Sequence, residues 1–399
     1  MSTSKPHIAI LGSGPTGLEA ALAASEAGFP FTVYEAAPEV AGNVRAWGHV
    51  RLFTPWDLNV SPRMRRHLPD APSSATECPT GTELIEKLLA PLAALPFIAP
   101  NLRLGTRVVA IGREGLLKHE EIATAERGRR PFRLVVAGPD GRERAESAAI
   151  VIDATGTYGN PNHLGNGGIP APGERAAGSE GGAIRRSIPD LSREAAEWAG
   201  KTILLAGAGH SAQAAARDLA ALAQNAPGTR VIWALRSTEP SWGTHEGDPL
   251  PARAQLVADA KALASGASPA VETRRGVAIE EITRPNGRLR VVVRNGSGSE
   301  EVSVDNILAL TGYVGDHELY RQLQVHECYA TSGPIKLSAA LLGAAGGDCL
   351  TQTSHGVDTL TNPEPGFYIL GIKSYGRNNT FLMRVGWDQV AEVFSALQG

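Results

Sequence analysis

Two glycine clusters carry the chemistry legible in this chain. Gly12-Ser13-Gly14-Pro15-Thr16-Gly17 is a full G-x-G-x-x-G, and Gly207-Ala208-Gly209-His210-Ser211-Ala212 is the G-x-G-x-x-A variant. In such a turn the first Gly allows a tight bend and the second lets backbone approach a pyrophosphate. The third small residue lets helix and strand pack closely. The helix that follows presents unpaired N–H groups and a partial positive charge to the phosphates. Gly12, Gly14, Pro15, Thr16 and Gly17 are therefore one candidate phosphate cradle. Gly207, Gly209, His210, Ser211 and Ala212 are a second. Glu35 follows the first cradle near the usual ~20-residue spacing, where a carboxylate accepts from ribose hydroxyls. Arg236 and Ser237 take that place after the second, where a guanidinium makes a charge-assisted contact to a 2′-phosphate. The second site thus reads as built for NADPH rather than NADH. His210, inside the turn, could touch a pyrophosphate or nicotinamide, but such a residue is more often a polar group at a helix start, and it is given no catalytic role.

The surrounding elements fit these roles. His7–Leu11 (HIAIL) is a short apolar run ahead of the first turn, and Leu18–Gly28 has helical spacing that stops at a glycine. Phe31–Tyr34 is the next strand. Thr202–Ala206, Ala212–Ala223 and Val231–Leu235 repeat that order. The pattern predicts an α/β protein with two Rossmann-like dinucleotide-binding domains. Arg130–Ile152 reads as a hairpin turning at Pro139-Asp140-Gly141, and Val277–Leu310 repeats it with turns at Pro285-Asn286-Gly287 and Asn295-Gly296. The Gly- and Pro-rich stretch 157–190 reads as a linker or loop.

Composition narrows the classes. The 399 residues suit about two domains, with 42% hydrophobic residues to fill their cores. Net charge is −3 and aromatics are 5%, which argues against a nucleic-acid partner. The three cysteines, Cys78, Cys328 and Cys349, form no CxxC and no zinc-type cluster, so neither a disulfide scaffold nor a metal site is expected. Without a signal-type leader or an ~18-residue apolar run, the expectation is a cytoplasmic protein that does not enter a membrane. There is no G-x-S-x-G, P-loop or HExxH motif.

Taken together, the chain resembles the flavoproteins with two dinucleotide-binding domains, in which FAD occupies the first copy and NAD(P)H the second. Ile150–Gly156 (IVIDATG) looks like the A-T-G segment where the chain leaves the FAD domain, and Asn306–Tyr313 (NILALTGY) like its second copy. Phe367–Arg377 (FYILGIKSYGR) is similar to the late strand and turn that meet the ribityl chain. Phe381–Leu397 reads as a closing helix whose N-terminus points at the flavin. The resemblance implies a discontinuous FAD domain, 1–190 plus 312–399, with an NAD(P)H domain at 191–311 inserted. It adds Gly42, Asn43, Val108, Thr155, Gly156, Gly371, Ser374 and Phe381 to the expected cofactor contacts. Many members carry G-D after the late strand. This chain has Gly371-Ile372-Lys373-Ser374, with Lys373, Ser374 or backbone N–H groups as substitutes. A homodimer is compatible with the resemblance.

For the reaction, the segment Glu39–Asn59 resembles that of class B flavin monooxygenases, where G-G-x-W approaches the flavin. Here Gly42-Asn43 is the counterpart, with Trp47 displaced. The expected function is NADPH-dependent oxygenation of a small molecule through a flavin hydroperoxide. The F-x-G-x-x-x-H signature of that class is missing from 182–190. The alternative is a reductase of a disulfide, quinone or other small acceptor, similar in domain order to thioredoxin reductase. That reading lacks the dithiol, and Thr16 stands where a bacillithiol-disulfide-reducing relative has Cys. Cys349, in a polar loop, is the one suggestive thiol. A nucleotide-sensing scaffold is a third, non-enzymatic reading. The excursion Trp47–Pro100 and the segment 240–263 exceed a minimal Rossmann unit. They supply most of the substrate-side candidates: Trp47, His49, Arg51, Trp56, Trp242 and His245. His355 completes the set.

Overall fold

The computed structural model describes residues 5–179, 182–244, 248–296, 298–343, 354–378 and 380–399. The chain divides into two compact units, Met1–Asn160 with Tyr313–Gly399, and Pro161–Gly312.

In the first unit Ile8–Leu11 is buried at every position. A parallel strand covered on both faces shows no polar alternation, which explains the unbroken apolar run. It pairs in parallel with Phe31–Tyr34 on one side and Ile150–Asp153 on the other. Phe367–Ile369 and Leu102–Arg103 complete the five-stranded parallel sheet at its edges. Ile8 and Ile10 enter one core with Leu18, Leu22, Val385, Val390 and Phe394 from helices Pro15–Glu26 and Met383–Gln398. Ala9 and Leu11 enter the opposite core with Ile111, Phe132, Leu134 and Val136. Those four belong to an antiparallel sheet of Arg107–Arg113, Phe132–Ala137 and Glu143–Ala148. Its second turn contains Gly141, where φ of +73° suits a residue without Cβ.

The second unit repeats the plan. Thr202–Ala206 lies between Arg230–Leu235 and Asn306–Ala309, with Val271–Arg275 and Ile184–Arg185 at the edges, all parallel. Ile203, Leu205, Val231 and Trp233 pack against helix His210–Asn225 through Ala212, Ala215, Ala216 and Leu219. Leu204, Ala206, Ile232 and Ala234 pack against an antiparallel sheet of Ala278–Thr283, Leu289–Asn295 and Gly298–Val304.

Two expectations change. The division falls at 160/161 rather than 190/191, because 161–190 is built into the second unit. Its Ile184–Arg185 adds a strand beside Asn306–Ala309. Glu174, 1% exposed, accepts N–H bonds from Leu164 and Ala171 and pairs with Arg186 at 2.6 Å. The excursion Trp47–Pro100 also feeds the core: Trp56, Met64, Leu84, Leu88 and Leu92 are buried in the cluster that holds helix Pro15–Glu26. Among the described residues no helix is long and apolar enough to cross a membrane.

Candidate functional site

The two glycine turns have the same internal logic. At Gly12, φ is +95° and a Cβ would lie 2.7 Å from Ala154 O. At Gly17 it would lie 1.9 Å from Gly12 O. Both positions are closed to any side chain by the fold itself. Gly14 is the opposite case, since a Cβ there meets nothing within 4 Å. In the second turn Gly207 has φ of +130° and a Cβ would lie 2.2 Å from Leu310 O, while Gly209 opens on empty space. Ala212 takes the third position, its methyl at 3.4 Å from a Cβ on Gly207. The middle glycine of each turn therefore answers to no protein neighbour. That is the fit expected of a cradle for a pyrophosphate. Pro15 opens helix Pro15–Glu26, where its missing N–H breaks no helical bond. His210 and Ser211 open helix His210–Asn225, with Gly209 as its cap residue.

Around the first turn, Glu35 is 9% exposed. Its Oε2 accepts from Ser13 N–H at 2.9 Å and Ser13 O–H at 2.6 Å, and its Oε1 from Ala37 N–H at 2.9 Å. Oε1 keeps acceptor capacity for a ribose hydroxyl; Oε2 is filled by the protein. Ser13 Oγ also accepts from Ala41 N–H at 3.0 Å, which ties the glycine turn to the segment leading into Gly42 and Asn43. Val108 is half-buried in strand Arg107–Arg113, just beyond the 103–106 stretch. There Arg103 O accepts from Glu35 N–H, and Glu35 O from Thr106 N–H.

Four distant segments meet beside this turn. Asn43 Nδ2 donates to Thr155 O at 3.3 Å and stands 3.8 Å from where a Gly156 Cβ would be. Ile372 Cγ2 is at 3.9 Å from the same point. Gly371, with φ of +74°, would place a Cβ 2.8 Å from Thr16 Oγ1, and Gly386 would place one 3.0 Å from that atom. The start of helix Met383–Gln398 is thus drawn against the glycine turn. Phe381 precedes it, edge-on to Tyr375 at 5.3 Å.

The Gly371–Ser374 turn behaves differently from the expectation. Ser374 is fully buried; its hydroxyl donates to Gly371 O at 2.7 Å and accepts from Gln389 Nε2 at 2.9 Å. Gln389 Oε1 takes the Gly371 N–H at 2.8 Å. The Ser374 side chain and the Gly371 N–H are therefore spent on the turn itself. Lys373 is 1% exposed, and its Nζ pairs with Asp153 at 2.6 Å and reaches Thr155 Oγ1 at 3.2 Å. Asp153 also accepts from the N–H and O–H of Thr155 at 3.1 and 2.7 Å. Neither side chain offered in place of the G-D carboxylate is free. Both lock the Thr155–Gly156 and Gly371 turns in place instead.

On the substrate side, Trp47 packs on Tyr158 at 6.2 Å and Tyr158 on Tyr313 at 5.0 Å. This aromatic row includes two tyrosines that the sequence patterns did not single out. The indole N–H of Trp47 and Nε2 of His49 and of His355 are buried without a hydrogen-bond partner. Trp56 is core, at 1% exposure. Arg51 is exposed, bonded to Cys78 O and paired with Glu83 at 3.7 Å. Trp242, in the second unit, packs edge-on to Trp233 at 5.5 Å, and Gln213 Nε2 donates to both Ala208 O and Trp242 O. His245 and Cys349 lie outside the described residues. Burial pushes the Cys78 thiol up, against the opposing pull of Arg51. Arg236 is exposed and forms no ion pair among the described residues, and Ser237 Oγ accepts from Glu239 N–H at 3.1 Å.

Residues 10–64 match a family model described as an NAD(P)-binding Rossmann-like domain. No match is found among curated protein sequences. Among solved structures, the chain is similar to bacillithiol disulfide reductase from Bacillus cereus, with a TM-score of 0.71 at 18% identity over 99% of each chain. It is similar to ornithine N-hydroxylase from Kutzneria sp. 744, with a TM-score of 0.64 at 15% identity over 99% of each. Thioredoxin reductase from T. acidophilum gives 0.59 at 15% identity, again over 99% of each. These likenesses show the fold: two Rossmann-like domains, one inserted in the other.

Proposed function

We propose that the chain is an NADPH-dependent flavoprotein oxidoreductase, with FAD at the Gly12–Gly17 turn and NADPH at the Gly207–Ala212 turn. The observation that carries this reading is the repeated cradle. In each turn the first glycine is closed by the fold and the middle glycine is open, while the ribose-reading residue changes from Glu35 to Arg236, which no ion pair uses among the described residues. FAD, when bound, accepts hydride from NADPH and passes electrons to a second substrate.

The chain's own residues hold and orient the groups. Gly14 and Gly209 give room for pyrophosphates, and Oε1 of Glu35 accepts from a ribose hydroxyl. Arg236, with the O–H of Ser237, faces a 2′-phosphate. Asn43, Thr155, Gly156 and Gly371 fix the wall beside the first turn, and Phe381 leads helix Met383–Gln398 to it. Val108 supplies strand backbone near the Glu35 end.

The finer reading is oxygenation of a small nucleophilic substrate. Thr16, not a cysteine, stands in the first turn, which favours direct transfer from the cofactor to its acceptor. The bacillithiol disulfide reductase and ornithine N-hydroxylase likenesses span both outcomes. The test is to reduce the purified protein with NADPH without oxygen, then mix it with aerated buffer. A long-lived species distinct from reduced and oxidised flavin supports oxygenation. Direct return to the oxidised spectrum, with rapid turnover on quinones or disulfides, overturns it in favour of a reductase.

A further inference from the structure

We infer that Arg275 is a second guanidinium that reads the 2′-phosphate of NADPH, acting beside Arg236. This rests on the reading of the second site as an NADPH site and deepens it.

The argument comes from strand register. Arg230–Leu235 and Val271–Arg275 are adjacent parallel strands, and Leu235 stands opposite Arg275. The pairing continues past the ladder. Val277 N–H donates to Leu235 O at 3.0 Å and Gly276 N–H to Ser237 O at 3.4 Å. Arg236 is therefore held between two bonded neighbours, alongside the residues that follow Arg275. Gly276 makes this close approach possible, since its φ is +65° and a Cβ would lie 3.0 Å from Thr238 Cγ2. Adjacent strands run ~4.8 Å apart; Arg275 shares the face of its register partner Leu235 and Arg236, one residue on, starts from the other, so the two guanidinia meet at one phosphate beyond the strand ends, where both residues are exposed.

Charge pairing separates this arginine from its neighbours. Arg274 is spent on Glu272 at 2.7 Å and Glu300 at 2.6 Å. Arg275 and Arg236 are both exposed, and among the described residues no ion pair or side-chain hydrogen bond uses either guanidinium. The first unit gives an internal control. There Tyr34 stands opposite Arg103 in the same relation, one residue before the ribose reader Glu35. Arg103 is neutralised: its Nη1 bonds Glu146 at 2.6 Å, and its guanidinium lies 5.6 Å from the Tyr34 ring centroid. The site whose reader is an acid has its register-equivalent arginine cancelled. At the site whose reader is Arg236 it has no side-chain partner among the described residues. A doubly charged 2′-phosphate is the ligand chemistry that rewards two free guanidinia.

The test uses the full-length, FAD-loaded protein, with 2′,5′-ADP binding and NADPH and NADH kinetics on wild type, Arg236→Ala, Arg275→Ala and Arg275→Glu. Arg275→Ala should weaken 2′,5′-ADP binding and raise KM for NADPH about tenfold to hundredfold, with NADH kinetics and Tm unchanged. Arg275→Glu should go further in the same direction. If Arg236→Ala loses the NADPH preference and both Arg275 variants keep it, the inference is overturned while the NADPH site stands. If none of the variants alters the preference, the NADPH reading fails with it.

Discussion

At the residue scale, the glycine turns separate folding from binding. Gly17→Ala would force a methyl to 1.9 Å from Gly12 O, an overpacking expected to cost about 1–3 kcal/mol or to abolish soluble protein. Gly14→Val adds a Cβ that meets nothing within 4 Å. It is expected to leave Tm nearly unchanged and to give a colourless protein, as read from the absorbance of the purified sample; a yellow Gly14→Val protein would refute the first-site assignment. These positions were legible in the sequence because each glycine answers a backbone requirement that no other residue meets. The partners of the Gly371–Ser374 turn were not. The sequence offers Ser374 as a ribityl contact; its hydroxyl is bound to Gly371 and Gln389. Lys373 is neutralised by Asp153. The Gln389 and Asp153 partners lie 15 and 220 residues away, and no local spacing announces such a pair.

At the scale of elements, two ion pairs hold the segments that shape the sites. The Lys373–Asp153 pair joins the turns after strands Phe367–Ile369 and Ile150–Asp153, with both side chains essentially unexposed. Lys373→Met leaves a buried carboxylate unpaired and is expected to cost about 3–5 kcal/mol in denaturant unfolding. The double variant with Asp153→Asn should recover part of that loss. In the second unit, burial alone would raise the Glu174 pKa, but the Ala171 and Leu164 N–H groups and Arg186 outweigh it and hold the carboxyl below its usual 4.5. The sign follows. Glu174 contributes its full stabilisation above the ordinary glutamate pKa and loses it as pH falls through the lowered value. Glu174→Gln should therefore destabilise the protein by about 1–3 kcal/mol at neutral pH. The gap from wild type should narrow in acid, and a gap independent of pH would contradict the assignment. Strands such as Phe31–Tyr34 and Thr202–Ala206 were legible as apolar runs between turns. Ile184–Arg185 was not, because two residues inside a Gly- and Pro-rich stretch carry no period. That is why 157–190 reads as a linker.

At the scale of the whole molecule, the internal repeat carries the functional reading. Each unit builds a five-stranded parallel sheet with a glycine turn at its central strand and an antiparallel sheet on one face. At the ribose-reading position the first unit has Glu35 and the second Arg236. Gly209→Val is expected to keep the yellow colour and lose reduction by NADPH, the reverse of Gly14→Val. Retained reduction in that variant would move the NADPH site elsewhere. The most direct measurement is anaerobic mixing of the purified full-length protein with NADPH and, separately, with NADH, following the flavin absorbance. Rapid bleaching by NADPH, with NADH at least tenfold less efficient, is the expected result. A protein that carries no flavin, or a bound flavin that neither nucleotide reduces, would contradict the assignment of a hydride-transferring pair of sites.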